Sequence, residues 1–398
     1  MLPVCNLPRK QSHRLITSRQ QLWIMLVLLL AGCLSSATGS IVAPVFPEII
    51  EQLQIDPGWA GLLVSAHTLT TALASPALGI LANRLGILPI LMSSLVAYAV
   101  FGAAGAIAAN FWTMLLCRGL VGALAGGVAA GSIGLLSNMY TGEARSRVMG
   151  YATSALASAT VIFPILGGWL GLYHWRWAFG LYGLGLPVAI AAVLLLPRQA
   201  QSSSKAVDLS QAQGIRQVLK DRRIWLMFAS LAAVSAIFYV VVVYAPLYLK
   251  AAIGASSLLN GIVLAARAIG AAVLSAVGAN RLAKAIGLSS TIAVGFLGMA
   301  LSLAAIPNLV SPPLILLTAL LFGLGFGLVM PNFYSGLAHL SPDGQRSGVL
   351  ALGTGFASLG QFVSPLVFGP VWKSAGSGVF YAAAAIAVII GILSWQRR

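Results

Sequence analysis

Apolar residues in this chain fall into twelve long runs, six in each half, with polar connections between them. A helix needs roughly 20 apolar residues to cross the ~30 Å hydrocarbon core of a bilayer, and each run is about that long. The pattern predicts an all-α membrane protein with twelve transmembrane helices in two pseudo-symmetric six-helix bundles. The predicted spans lie near residues 22–44, 58–80, 88–109, 111–137, 148–171 and 175–196, and then near 224–248, 257–279, 287–307, 313–338, 348–371 and 375–395.

The polar segments divide the chain into four parts. A basic segment, 1–21, precedes the first bundle, 22–196, and a polar linker, 197–223, connects it to the second bundle, 224–398. The composition agrees with this division, because 59% of the residues are hydrophobic, 8% are charged and the mean hydropathy is +0.95. Soluble domains have about a quarter of their residues charged. We therefore expect the lipid bilayer to surround most of the chain.

The basic residues predict an orientation. With the N-terminus inside, the cytoplasmic segments hold eighteen Lys and Arg residues, and the outer loops hold three, Arg176, Lys250 and Lys373. Cytoplasmic loops of membrane proteins carry such an excess. We expect a multi-pass protein of the cell (inner) membrane with both termini in the cytoplasm. Because this bias accounts for the net charge of +16, no nucleic-acid partner is predicted.

Short sequences recur about half a chain length apart. Ala82-Asn83-Arg84-Leu85 reappears as Ala279-Asn280-Arg281-Leu282, and each copy follows the second apolar run of its half. The spacing from Arg145 to Pro164 recurs between Arg346 and Pro365. A single internal repeat in a membrane protein is typical of a transporter whose site lies between the repeats.

The arrangement resembles the major facilitator superfamily over the whole chain. Residues 79–86 are similar to its loop signature, with Asn83 where aspartate is usual, and the residues around Arg118 are similar to the motif of its fourth span. The resemblance implies a monomer that moves a small-molecule substrate by alternating access. We expect neither a cofactor nor a metal, and the three cysteines, Cys5, Cys33 and Cys117, show no paired spacing.

The fifth predicted span resembles the antiporter motif of this superfamily, and Ala159 and Phe163 replace two of the motif's glycines. The matching positions are Gly150, Pro164, Gly167 and Gly168. The segment after it, Trp175-Arg176-Trp177-Ala178-Phe179, is similar to one in drug exporters with twelve spans. This resemblance implies protons as the coupling ion. Physically, Pro164 and the paired glycines suit either close packing or a bending helix.

The resemblance also implies a cytoplasmic gate, held in the superfamily by the loop aspartate. Both repeats carry asparagine there, and an amide lacks the stronger charge-assisted hydrogen bonds of a carboxylate. The predicted gate residues are Gly79, Asn83, Arg84, Glu143, Arg145, Asn280, Arg281, Asp343 and Arg346. Glu143 with Arg145, and Asp343 with Arg346, either replace the latch or form solvated surface pairs that contribute little.

Three ionisable residues fall inside predicted spans, where such residues are functional candidates because they are costly in lipid. His67 and Arg267 lie at similar depths before the repeated Asn83 and Asn280. Arg267 is either an anchor for an anionic substrate or a structural arginine. His67 is either a buried neutral histidine or a proton carrier. The predicted cavity residues are His67, Arg118, Tyr239, Arg267, Asn332 and Gln361.

The seven acidic residues all fall in loops or at predicted helix ends. Glu48, at the outer end of the first span, is the one that could serve as a buried carboxylate, if that end folds inward. Exporters of cationic drugs usually keep a buried carboxylate that holds either the proton or the cation. We therefore expect neutral, amphipathic or anionic substrates.

The leading hypothesis is a secondary transporter that exports small amphipathic or anionic compounds in exchange for protons. Uptake of a small organic or inorganic anion is the alternative within transport. A non-transporting receptor or scaffold is the alternative from another class. A membrane-embedded enzyme is not expected, because the four histidines are scattered and no carboxylates cluster.

Overall fold

The computed structural model describes residues 18–196, 218–342 and 344–396. Most of the predicted basic N-terminal segment and linker, and Asp343, lie outside the described residues, as does the side chain of Asn83. The α-helices are Ser18–Ala37, Phe46–Leu53, Pro57–Leu85, Ile87–Ala104, Phe111–Met139, Gly142–Gly171, Trp175–Phe179, Gly185–Leu195, Arg222–Ile253, Ser257–Val273, Ala279–Ile286, Leu288–Ala305, Pro312–Leu340, Arg346–Ala375 and Gly378–Trp395.

Within the described residues, twelve helical segments are long and apolar enough to cross a membrane. We number them spans 1 to 12 in chain order, with span 6 as Trp175–Leu195 and span 8 as Ser257–Ile286. They form two six-helix halves, spans 1–6 and spans 7–12, as predicted. The remaining helix, Phe46–Leu53, lies between spans 1 and 2, and we call it the loop helix.

Two boundaries differ from the prediction for local reasons. Span 1 ends at Ala37, well before the predicted residue 44, because a short 3-10 turn and then the loop helix follow it. Both of these elements have a proline in their first turn, Pro44 and Pro47, a position that proline favours. Span 8 continues past residue 279, and its Leu274–Gly278 segment forms a π-helical turn directly before the second Ala-Asn-Arg-Leu.

The two halves meet along two helix pairs. Span 2 packs on span 11, and span 5 packs on span 8. At these crossings a Cβ on Gly168 would overlap the carbonyl oxygen of Ser257, and one on Gly261 would overlap that of Pro164. In lipid, helices associate largely through such close approach of backbones at small residues.

One end of the bundle is closed and the other is open. We call closed the end where the loops between spans 1 and 2, 5 and 6, 7 and 8, and 11 and 12 lie. Several polar contacts join the halves there: Ser257 Oγ donates to the carbonyl of Gly168 at 2.9 Å, Lys250 Nζ lies 2.7 Å from Glu51 Oε2, and Lys373 Nζ lies 2.8 Å from Asp56 Oδ2.

The opposite end of the bundle, near Gly86, Tyr140 and Gly287, is open. Gly79 and Gly150 lie toward it, and a Cβ on either would meet no atom within 4 Å. Spans 2 and 5 are therefore in tight contact with the other half near one end and, at these two glycines, face open space toward the other. This is the geometry of one state of an alternating-access cycle.

Candidate functional site

A cavity of about 460 Å³ lies between the two halves and is lined by both. The first half contributes the end of span 1, His67 of span 2 and Thr160 of span 5, and the second half contributes residues of spans 7, 8, 10 and 11. Its wall combines apolar and aromatic groups with a few polar side chains. That composition is usual for sites that bind small molecules.

Arg267, on span 8, is the charged group in the wall of this cavity. Its side chain is nearly buried, with 9% of its surface exposed. Its guanidinium carbon lies 4.0 Å from the ring centre of Phe238, which in turn stacks on Phe326 at 4.3 Å. Nε and Nη1 have no hydrogen-bond partner. A cation–π contact supports the face of the guanidinium, and these two buried N–H donors are left without a partner.

His67 lies in the opposite wall, and its position depends on two glycines. Gly122 of span 4 allows close approach, because a Cβ there would overlap the backbone of His67. On the cavity side, a Cβ on Gly39 would lie 2.7 Å from His67 Cε1 and Nε2. The backbone of His67 therefore lies close to span 4 at Gly122, and the imidazole occupies space that a side chain at position 39 would fill.

Behind His67, the guanidinium of Arg118 is fully enclosed, with 1% of the residue exposed. It donates to the carbonyl oxygens of Leu63 at 3.0 Å and Thr38 at 3.1 Å, and to the hydroxyl of Tyr182 at 2.7 Å. These acceptors are neutral, and they tie spans 1, 2, 4 and 6 together. A buried cation held by several hydrogen bonds is a structural centre of the first half.

His67 and Arg118 also touch each other. His67 Nδ1 lies 2.6 Å from the carbonyl oxygen of Val64 and 3.1 Å from Arg118 Nη2. Nδ1 can donate to the carbonyl or accept from the guanidinium, but a single proton position serves only one of these. The shorter distance favours donation to Val64, which leaves Nε2 as the free acceptor on the cavity side.

Tyr239 and Gln361 line the cavity from spans 7 and 11. The hydroxyl of Tyr239 donates to the carbonyl oxygen of Val64 at 3.1 Å, so the same carbonyl receives contacts from His67 and from the second half. This bond crosses between the halves at the level of the cavity. It therefore couples the position of span 7 to Val64, which lies one helical turn before His67 and contacts its ring.

The structure corrects two members of the predicted cavity. Arg118 does not line it but lies behind His67, because its hydrogen bonds are all directed into the first half. Asn332 does not line it either. Its Nδ2 donates to the carbonyl of Leu328, one turn earlier on its own helix, at 2.7 Å. Glu48 is also outside the cavity, at the closed end, where Lys250 faces it at 3.7 Å.

The predicted gate residues that the structure describes lie toward the open end and are mostly exposed to the surroundings. Arg346 Nε donates to the carbonyl of Ala338 at 3.2 Å within its own half. Exposed side chains are found at Arg84, Glu143, Arg145, Asn280, Arg281 and Arg346. A latch across this end requires the halves to approach, so its pairing stays a prediction.

The residues of the predicted antiporter motif are divided between the two ends. Pro164, Gly167 and Gly168 are buried at the closed end, where span 5 remains helical through the proline. A Cβ on Gly167 would overlap the carbonyl oxygen of Ile41. Gly150 lies toward the open end, where a Cβ would meet no atom within 4 Å. In this state, the proline and paired glycines act as a packing surface.

Sequence reasoning missed the aromatic support of the cavity. Phe238 and Phe326 are unremarkable apolar residues in long apolar runs, and one sequence carries no signal that pairs them. Gly39 was missed for the same reason, since the chain has 43 glycines and only the contact with His67 distinguishes this one.

Twelve spans in two related halves, with a cavity between them that is closed at one end, define a secondary membrane transporter. The sequence profile of the Major Facilitator Superfamily matches residues 28–264 and 237–398. The chain belongs to this superfamily.

Similar proteins agree with that membership. The chain is 24% identical over 377 residues to the multidrug resistance protein MdtG of Salmonella paratyphi C, covering 92% of this chain and 93% of that one. It is 24% identical over 366 residues to the quinolone resistance protein NorA of Staphylococcus aureus, covering 90% and 93%. The fold is similar to a bacterial homologue of the human lysosomal transporter Spinster in an inward-facing, unoccupied conformation, with a TM-score of 0.75, 15% identity and 96% coverage of both chains.

Proposed function

We propose that this transporter exports small amphipathic or anionic compounds from the cytoplasm in exchange for protons, with Arg267 as the anchor for an anionic group. The observation that carries the proposal is the pair of N–H donors on Arg267 that have no hydrogen-bond partner in the wall of the central cavity. A buried cation without a partner is costly, and an anion that binds beside it offsets this cost.

The charge balance of the cavity supports this substrate class. Its lining, taken from the described residues, contains Arg267 and no carboxylate, and Arg118 behind it is bound by neutral groups. A guanidinium presents its N–H donors in a plane that suits carboxylate, sulfonate or phosphate oxygens. The stacked Phe238 and Phe326 add apolar surface for the body of an amphipathic ligand.

The excess of basic residues around the open end supports an orientation with that end in the cytoplasm. The state described here is then open to the inside, which is where an exporter takes up its substrate. The names of the relatives MdtG and NorA, as multidrug and quinolone resistance proteins, support export over uptake. His67, beside the cavity, remains the candidate proton carrier within the membrane.

Binding to the purified protein tests the substrate class. Anilinonaphthalene sulfonate, N-phenylnaphthylamine and ethidium serve as anionic, neutral and cationic fluorescent probes of similar size. Since a hydrogen bond to a charged group contributes about 1.5–3 kcal/mol, Arg267→Ala is expected to weaken binding of the sulfonate at least about tenfold. Binding of the neutral probe should change little, and Arg267→Lys should be intermediate.

Ser40→Ala is the matched control, because Ser40 lines the same cavity without a charge. Equal binding of the sulfonate by wild type and Arg267→Ala would overturn the anchor. Proton exchange is measured separately in proteoliposomes, as transport of the probes with an imposed pH gradient of either sign. An exporter of this kind responds to the gradient, and the absence of any response would refute proton coupling.

A further inference from the structure

A charged cluster joins the halves at the closed end, and we call it the outer clasp. It consists of Lys250, at the end of span 7, and of Glu48 and Glu51 on the loop helix of the first half. Lys250 Nζ lies 2.7 Å from Glu51 Oε2 and 3.7 Å from Glu48 Oε1. One lysine of the second half therefore faces two carboxylates of the first.

The two carboxylates are in different surroundings. The side chain of Glu51 is 72% exposed, and its hydrogen bond with Lys250 lowers its pKa. The side chain of Glu48 is 22% exposed, and its Oε2 is buried without a hydrogen-bond partner. Burial raises the pKa of Glu48, although its own backbone and Lys250 act in the opposite direction. Lys250 is shared between the two carboxylates, and it lies closer to Glu51, at 2.7 Å, than to Glu48, at 3.7 Å.

The other charged groups around the loop helix are engaged elsewhere. Span 2 begins after Asp56, which pairs with Lys373 at 2.8 Å. The helix Trp175–Phe179 carries Arg176, whose guanidinium lies 5.3 Å from the ring centre of Trp175. Among the described residues, Lys250 on span 7 and Glu51 on the loop helix itself are the charged groups that act on Glu48.

We propose that Glu48 is a proton-sensitive element of the outer gate, whose protonation stabilises the closed outer end. Opening of this end separates the loop helix from span 7 and hydrates the carboxylate of Glu48. Hydration returns the pKa of this carboxyl toward that of an exposed glutamate. The inference rests on the proposed orientation, in which this end faces outside, and is independent of the substrate.

The direction of the pH dependence follows from the difference in the pKa of Glu48 between the closed and the opened end. A group that binds its proton more tightly in the closed state favours that state at low pH. The favourable contribution of Glu48 is fully present below the ordinary Glu pKa of about 4.3 and is lost as pH rises through the raised closed-state value. Glu51 behaves in the opposite way, because its lowered pKa stabilises the closed state above about 4.3. Above that pH Glu51 stays ionised, so of these two carboxylates Glu48 is the one that responds.

This response suits an exporter that uses protons. After the substrate leaves to the outside, the empty protein must close its outer end and return. Acid on the outside protonates Glu48 and favours that closure. The clasp therefore makes the return step sensitive to outer pH without a carboxylate inside the central cavity.

The test measures the outer end directly in the full-length protein without substrate. Spin labels are attached at Ile107→Cys and Val310→Cys, exposed positions on opposite halves near this end, in a variant without native cysteines. The distance distribution gives the ratio of closed to open molecules from pH 5 to pH 8. In wild type the closed fraction should fall as pH rises, up to about tenfold in the ratio for each pH unit between the two pKa values.

Glu48→Gln should abolish this dependence, since the amide does not titrate. Glu51→Gln is the matched control, on the same helix and beside the same lysine, and should retain it. Lys250→Met should move the dependence to higher pH, because a cation that favours the ionised form is removed. A pH-independent wild type, or equal loss of the dependence in both glutamine variants, would overturn the proposal. Because no substrate is present, failure of the proposed export leaves this result unaffected.

Discussion

Gly168 of span 5 is the most informative single position for testing how the closed end is held. A Cβ at this position would overlap the carbonyl oxygen of Ser257 in span 8 and come within 3.0 Å and 3.1 Å of the next backbone atoms. These are backbone atoms, which do not rotate away as a side chain does. Gly168→Ala therefore forces spans 5 and 8 apart at the closed end, and it causes no strain in a state in which this end has separated.

The magnitude follows from two effects. Overpacking a close contact costs about 1–3 kcal/mol, and this acts on the closed state. Alanine also stabilises a helix by roughly 0.5–1 kcal/mol relative to glycine, but span 5 is helical in both states and this gain cancels. The ratio of molecules in which this end is packed to molecules in which it has separated should therefore fall by about 5- to 150-fold.

Gly150→Ala is the control for this prediction. Gly150 lies on the same helix and in the same motif, yet a Cβ there meets no atom within 4 Å. It receives the helix-forming benefit of alanine without the overlap. Both variants are measured with the Ile107 and Val310 label pair at the closed end, and with a second pair at Leu85 and Ile286 near the open end.

Gly168→Ala should lengthen the first distance and shorten the second, because the cavity opens at one end as it closes at the other. Gly150→Ala should match wild type in both. If the two alanine variants give the same distributions, close backbone packing does not hold the closed end, and the role assigned to these glycines is wrong.

Three further changes have distinct expected results. Gly39→Ala displaces the ring of His67 and should slow transport while the thermal unfolding temperature stays near that of wild type. Arg118→Lys loses donors to several carbonyl and hydroxyl acceptors, each worth about 1.5–3 kcal/mol for a charged group, and should lower the unfolding temperature in detergent. Pro76→Ala, which restores a backbone N–H donor inside span 2, should slow closure of the open end, measured by the Leu85 and Ile286 labels.

The fold could be predicted because membrane helices leave a strong signal. In lipid every backbone group must be bonded within the chain, so length and hydropathy define helices directly. The prediction was weaker where this constraint relaxes. Residues 38–53 lie at the closed end and include a 3-10 turn and the loop helix, and their apolar character reflects burial between the halves. Hydropathy does not distinguish burial in protein from burial in lipid.

The site could be predicted only in part. The sequence shows how deep in the membrane a residue lies along its helix, but it shows less clearly which side of the helix faces the cavity. His67 and Arg267 both line the central cavity, and their similar depths can be read from the sequence. Arg118 and Asn332 were also at plausible depths, but their helices direct them elsewhere. An amide in a span can be satisfied by its own helix, as Asn332 is by Leu328. A polar side chain inside a span therefore need not face the cavity, even though its burial in lipid is costly.

The two ends of the transporter use different means to hold the halves together. At the open end both copies of the repeated signature carry asparagine, so the superfamily's charged latch is absent from Asn83 and Asn280. At the closed end backbone contacts at glycines combine with cross-half ion pairs of Lys250 and Lys373. Exposed ion pairs are weak, so the backbone contacts at glycines account for most of the difference in stability between the closed end and the open end. The imbalance favours the state described here at rest, and in the proposed orientation that state is open to the cytoplasm. For an exporter that bias is useful, because apparent affinity for a cytoplasmic substrate scales with the fraction of molecules already open to it.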